Sequence, residues 1–185
     1  DPTAVGSKPL LLLRAIAAVE TNQYKEATRL LNEPAIALET EAALWRGVIE
    51  ARLGRWTPAL VGFRQSVDAL DRYPDDLQTR IRELVVRAAI EARDVNFAVQ
   101  QLDIYERLAG SAGAGLSALL RGIIAEMQEK PDDATQAYQI AARSPVRPVE
   151  AEARLRQALL KIREGKLDRN AAYTELETVK MMWRR

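Results

Sequence analysis

The chain has 185 residues, and its 27 Lys and Arg side chains nearly cancel its 26 Asp and Glu, leaving a net charge of +1. No global positive field therefore draws it to nucleic acid or to an anionic membrane. Because it contains neither Cys nor His, disulfides, Cys nucleophiles, His general bases, Ser-His-Asp triads and the usual zinc ligand sets are excluded. We expect no catalytic residues, no cofactor and no metal.

Ala and Leu dominate the apolar residues, and no stretch alternates as a half-buried strand would, which predicts an all-α protein. The first apolar run, PLLLLRAIAAV, is broken by Arg14 and closed by Glu20, so it is too short and too charged to span a bilayer. Its helical periodicity continues, and it is predicted to be the first helix. A second helix follows, with Ala27 and Leu31 at helical spacing.

The stretch LWRGVIEARLGRWTPALVGF, residues 44–63, reads as two helices joined at Gly54. Thr57 is predicted to cap the second of them. Gly47 lies inside the first helix, where a glycine costs about 1 kcal/mol relative to Ala. A close approach of the second helix would offset that cost, so Gly47 and Ala59 are predicted to mark the contact between two antiparallel helices.

The same pattern of helix, turn and helix recurs along the chain. Its second helices share an anchor alanine at positions 27, 59, 98, 134 and 171, separated by 32, 39, 36 and 37 residues. This pattern resembles the tetratricopeptide repeat, a helix–turn–helix unit of about 34 residues. The small residue of the family's first helix corresponds to Ala15, Gly47, Val86, Gly122 and Ala158. The turn glycine corresponds to Gly54 and Gly165. The large residue of the second helix corresponds to Leu31, Phe63, Leu102, Tyr138 and Leu176.

The resemblance implies a right-handed α-solenoid of about five stacked repeats in a single domain spanning 1–185. The repeats are expected at roughly 9–38, 40–74, 77–109, 114–144 and 149–185. It also implies a protein-interaction function. We further expect the chain to be a segment of a larger bacterial protein, located in the cytoplasm or the periplasm.

Two local motifs could carry chemistry. GAGLSA, residues 113–118, fits a loose dinucleotide fingerprint, but the segment before it is helical in period, and the fingerprint requires a strand there. The acidic pairs in RYPDD and KPDDA could bind Ca²⁺ or act as acid and base. Acids in this position more often cap a helix and complement its dipole, and we predict that role.

The first helices of the repeats are expected to line a concave groove, as the resemblance implies. Their candidate partner-binding residues are Arg52, Arg80, Glu83, Arg87, Glu91 and Glu126. One interpretation is a mixed-charge groove that accepts an extended or helical peptide from a partner protein. The alternative is a set of solvated or mutually paired charges that individually contribute little.

Three other functions stay open from the sequence. Apolar residues at Leu10–Leu13 and Met181–Trp183 would allow copies of the chain to assemble end to end. A nucleic-acid reader with one base per repeat is disfavoured by the neutral charge and the few aromatic residues. Direct membrane insertion is not expected, and an enzyme could only be a carboxylate-based site between repeats.

Overall fold

The computed structural model describes residues 7–183, and the side chains up to Met181. Within this part of the chain the secondary structure consists of ten α-helices and two short 3₁₀ helices, with no strand. The chain divides into two compact units, Asp1–Ala92 and Arg93–Arg185. The division falls between the two helices of the third predicted repeat, so each unit is described by itself.

Unit 1 contains two helical hairpins and one further helix. The first hairpin pairs α1 with α2 and the second pairs α3 with α4, while α5 packs on α3 and α4. In addition, α3 contacts both helices of the first hairpin, so successive elements stack on one another. The elements are α1 (Lys8–Glu20), α2 (Tyr24–Leu31), α3 (Thr40–Arg52), α4 (Trp56–Ser66), a 3₁₀ helix (Val67–Arg72) and α5 (Asp75–Glu91).

Unit 2 has the complementary arrangement, with one helix followed by two hairpins. Here α6 packs on α7, α7 pairs with α8, and α9 pairs with α10, while α8 and α9 contact each other between the hairpins. The elements are α6 (Val95–Ala109), a 3₁₀ helix (Gly110–Gly113), α7 (Ala114–Met127), α8 (Pro131–Ala141), α9 (Arg147–Arg163) and α10 (Arg169–Trp183).

The turn after each odd-numbered helix contains one residue with left-handed backbone geometry. These residues and their φ angles are Asn22 (59°), Gly54 (71°), Arg93 (58°), Glu129 (59°) and Gly165 (68°). At Gly54, for example, the amide of Arg55 donates to the carbonyl of Glu50 and the amide of Gly54 donates to that of Ala51. This is the hydrogen-bonding pattern of a Schellman motif, which ends one helix and redirects the chain into the next.

Small residues bring the helices of a hairpin into close contact, as the sequence predicts. A Cβ atom added to Gly47 would lie 3.0 Å from the ring of Phe63 and 3.3 Å from the carbonyl oxygen of Ala59. The match at Gly122 is tighter, because an added Cβ would lie 2.4 Å from the ring of Tyr138. Both aromatic rings are fully buried.

The predicted helix caps are wrong in detail. The Schellman turn leads directly into α4, which begins at Trp56, so Thr57 already lies within the first turn and is not its cap. The acidic pairs lie in the first turns of α5 and α8 but make no capping hydrogen bond from the side chain. They still complement the helix dipole there. Side-chain caps are formed instead by Asp94 at α6 and Asp168 at α10.

One anchor residue is also wrong. In α10 the buried alanine is Ala172, and Ala171 is exposed. The connection from α9 to α10 runs from Glu164 to Asp168 and is two residues longer than the corresponding turns. The buried alanine therefore lies seven residues after the left-handed residue of its turn, where the other repeats have five. The GAGLSA motif lies in the 3₁₀ helix and the start of α7 and follows α6, so it lacks the strand that dinucleotide binding requires.

Candidate protein-binding surfaces

The odd-numbered helices are called A helices below, and the even-numbered ones B helices. On the A helices of unit 1, the Glu20 carboxylate accepts hydrogen bonds from two guanidinium groups. Arg52 donates to it at 2.6 Å from α3, and Arg80 donates at 3.0 Å from α5. Arg52 also donates to the carbonyl of Val19 at 2.8 Å. The structure therefore brings together two predicted residues around an acid that the sequence analysis missed.

The other predicted residues of unit 1 lie on α5. Arg87 donates to Glu83 one turn earlier, at 3.0 Å, and Glu91 is exposed at the last position of the helix. Arg80 is the most exposed of the ion-paired members, with 58% of its side chain accessible. Most of the predicted residues of unit 1 are thus in ion pairs, and Arg80 is the most accessible cation among them.

In unit 2 the predicted Glu126 is held in place by its neighbours. Its carboxylate accepts hydrogen bonds from the Tyr138 hydroxyl on α8 and from Arg163 on α9, and only 16% of its side chain is exposed. Burial, followed by this hydrogen bond to Glu126, raises the pKa of Tyr138 well above its usual value near 10. Glu126 is therefore held in one position and is mostly buried on the A-helix side of unit 2.

Arg163 was also missed by the sequence analysis, although a signal for it exists. It lies two residues before Gly165, just as Arg52 lies two residues before Gly54. Beside it, Leu159 and Ile162 are exposed on α9. Together with Glu126 and Arg156, these side chains surround an open cavity of about 460 Å³. The A-helix surface of unit 2 is therefore apolar with a basic edge.

Exposed leucines characterise the first helix of the described chain. Leu10 and Leu13 of α1 are 50% and 62% exposed. Leu10 lies twelve residues before the left-handed residue of its turn, and the residues at that position in the later A helices are all buried: Ala42, Ile81, Ser117 and Ala153. Leu13, together with Pro9, Leu12 and Ile16 of α1, lines a cleft of about 390 Å³. At the other end Met181 is exposed, and the side chains of Met182 and Trp183 lie outside the described part of the chain.

Among the described residues there is no group of three or more acidic side chains that could hold a metal ion.

One run of the described residues, Val95–Met127, is long and apolar enough to cross a membrane by length and composition alone, and half of its most apolar window is buried. It comprises α6 and α7, which pack against each other. Core helices of folded proteins pass the same test, so the run is weak evidence for a membrane span.

Comparison with solved structures identifies the fold. The structure is similar to MamA from Desulfovibrio magneticus RS-1, with a TM-score of 0.68 and 17% identity over 98% of both chains. It is also similar to MamA MSR-1 (TM-score 0.65, 17% identity, 95% of both chains) and MamA AMB-1 (0.64, 16%, 93% of this chain and 96% of that one). MamA is a tetratricopeptide-like protein. At these identities the similarity shows the fold: the predicted all-α solenoid of tetratricopeptide-like repeats is confirmed.

Comparisons by sequence give no match. No protein-family model matches the chain, which is consistent with repeats that depart from the family pattern. No curated protein matches it either.

Proposed function

We propose that the chain is a non-catalytic scaffold that binds a partner protein or peptide on the surface of its A helices. The observation that carries this proposal is the Glu20–Arg52–Arg80 network, which spans α1, α3 and α5 of unit 1. Exposed ion pairs contribute only about 0.2–1 kcal/mol. A carboxylate of a partner can therefore replace Glu20 beside Arg52 and Arg80 at little cost to the fold. Glu83, Arg87 and Glu91 lie further along α5 and would contact other parts of the partner.

The fold supports this proposal, because helical-repeat proteins offer extended surfaces for binding other proteins. The absence of His and Cys from the sequence points the same way, since it removes most catalytic groups. Glu126 contributes indirectly in this scheme by fixing the position of Arg163 in unit 2. Neither a nucleic acid nor a cofactor is part of the proposal.

The test is capture from a lysate of the host with tagged protein and two double charge reversals. In the first, Arg80→Glu and Arg87→Glu alter the A helix α5. In the second, Arg64→Glu and Arg72→Glu make the same change of charge on α4 and the 3₁₀ helix that follows it. The proposal expects a partner that binds the wild type and the second variant but not the first, with helical content equal in all three by circular dichroism. Equal retention by both variants would refute a site on α5.

A second candidate function is assembly of the chain with copies of itself, and the exposure of Leu10 and Leu13 favours it. In each later A helix the residue that corresponds to Leu10 is buried. At α1 the same position carries an exposed leucine, which a second copy of the chain could cover. Sedimentation of the wild type over a hundredfold range of concentration tests the idea. Assembly through α1 predicts a mass that rises with concentration and a monomer for Leu10→Glu/Leu13→Glu. The control Val61→Glu, at an equally exposed position of α4, should behave as the wild type.

A further inference from the structure

A third surface lies in unit 2, on a different side of α7 from Glu126 and Arg163. The B helices α6 and α8 flank a cleft of about 420 Å³ that has α7 at its base. Its apolar lining consists of Val99, Leu102, Ile124, Ala125, Ala137 and Ile140. Ile140 is 54% exposed. The volume falls in the range of small-molecule and side-chain pockets, about 300–1,000 Å³, and is large enough for one aromatic or two aliphatic side chains.

This cleft is distinct from the surface proposed above to bind a partner. Successive residues of an α-helix are rotated by about 100° around its axis. Ile124, Ala125 and Gln128 of α7 line the cleft. Glu126 is directed to the other side of α7, where it meets Arg163. The inference therefore goes beyond the proposed function and does not depend on it.

The polar rim of the cleft has an excess of negative charge. Its one guanidinium, Arg121, is already shared between two acids of α6, since it binds Glu106 and donates to Asp103 at 3.2 Å. Asp133 also lines the rim, in the first turn of α8. It is exposed and forms no ion pair with any residue in the described range 7–183. Among the residues that line the cleft, one guanidinium faces the two carboxylates of Asp103 and Asp133, and Asp133 is available to an incoming cation.

We propose that this cleft binds a peptide segment of a partner protein in which a large apolar side chain stands next to Lys or Arg. The apolar side chain fills the space between α6 and α8 and covers Ile140. The neighbouring cation pairs with Asp133, while Gln128 and Gln136 on the rim offer hydrogen bonds to the peptide backbone. An acidic segment is repelled by the same rim, so charge sets the specificity of the site.

The experiment uses three blocked peptides with one apolar core: acetyl-Lys-Leu-Trp-Lys-amide, its Gln counterpart and its Glu counterpart. Each is titrated into the ¹⁵N-labelled chain and followed through amide chemical shifts. The Lys peptide should give saturable shifts at cleft residues such as Leu102, Ile124 and Ala137. It should bind about fivefold more tightly than the Gln peptide, the value of one exposed ion pair. The Glu peptide should be weaker still.

Matched variants test the two halves of the site. Asp133→Asn should weaken the Lys peptide about fivefold, while Asp132→Asn, which changes the same helix turn outside the cleft, should leave binding within about twofold of the wild type. Ile140→Ala should weaken all three peptides, and Val61→Ala, at an equally exposed position on α4, should weaken none.

Three results would overturn the proposal. The first is an absence of saturable shifts with every peptide, and the second is equal binding of the Lys and Glu peptides. The third is shifts confined to residues outside the cleft, such as Glu126, Leu159, Ile162 and Arg163, which would remove this cleft while leaving the proposed function intact. Loss of the partner in the Arg80/Arg87 experiment bears only on the proposed function, because those residues belong to unit 1.

Discussion

Replacing Gly122 by Ala should destabilise the protein, although the same change stabilises most exposed helices. Alanine gains about 1 kcal/mol of helix propensity over glycine. The new Cβ, however, would lie 2.4 Å from Cε1 and 2.6 Å from Cδ1 of Tyr138. Distances this short force the ring or the helix to move, and overpacking of a buried site costs about 1–3 kcal/mol.

The ring of Tyr138 has little freedom to move away. It is fully buried, and its hydroxyl is hydrogen-bonded to Glu126. We therefore take the upper part of the range for the steric cost and expect a net loss of about 1–2 kcal/mol in the free energy of unfolding. Gly47→Ala is the natural comparison, because its Cβ would meet the Phe63 ring at 3.0 Å. Its cost should be smaller and close to zero.

Urea denaturation followed by circular dichroism measures both variants, and a double-mutant cycle identifies the cause. Tyr138→Leu removes the clashing ring edge, so Gly122→Ala should cost at least 1 kcal/mol less in that background than in the wild type. A stabilising effect of Gly122→Ala, or a cost unchanged by Tyr138→Leu, would refute the explanation. The hairpin contact between α7 and α8 would then be looser than the structure shows.

Three further predictions concern the turns, a buried tyrosine and the ion-pair network. Glu129→Gly should raise the free energy of unfolding by about 1 kcal/mol in urea, because glycine adopts φ 59° without the strain of a side chain; an unchanged midpoint would contradict this. Because its folded-state pKa is raised, Tyr138 favours the folded state fully below about pH 10, its unfolded value, and loses this contribution as the pH rises beyond it. Tyr138→Phe lacks the hydrogen bond to Glu126 and should be less stable at pH 7, but it should lose less stability between pH 9 and 11, and parallel pH curves for the two proteins would exclude the effect. Glu20→Gln should cost about 0.5–1 kcal/mol at low salt and less at 1 M NaCl, and a cost independent of salt would indicate a packing defect instead.

The sequence was sufficient to predict the helical repeats, because their signals are local. Gly54 and Gly165 mark two of the turns, and the pairing of a small residue with a large one, as at Gly122 and Tyr138, follows from the helix period alone. Arg93 and Glu129 adopt the same left-handed geometry without being glycine. Those turns could be located only by spacing, because surrounding hydrogen bonds overcome the preference of the residue.

The charged site was less predictable, because its partners are distant in the sequence. Arg52 and Arg80 were chosen for their places on A helices, but their common partner Glu20 is 32 and 60 residues away. Such a contact depends on how several helices stack, and a shift of one residue, like the one that buries Ala172 instead of Ala171, would break it. Helix periodicity predicts which residues lie on the same face of one helix. It does not predict which residues of different helices come into contact.

The structure also shows that the predicted surface residues are not equivalent. Glu126 is nearly buried and holds two partners, so removing it would leave Arg163 and the Tyr138 hydroxyl without their acceptor. Arg80 is mostly exposed and shares its acceptor with Arg52, so its pairing is easily exchanged for that of an incoming carboxylate. A partner bound through Arg80 should therefore dissociate as salt is raised, whereas one bound on Leu159 and Ile162 should not. The salt dependence of binding, measured for the captured partner, thus distinguishes which unit holds it.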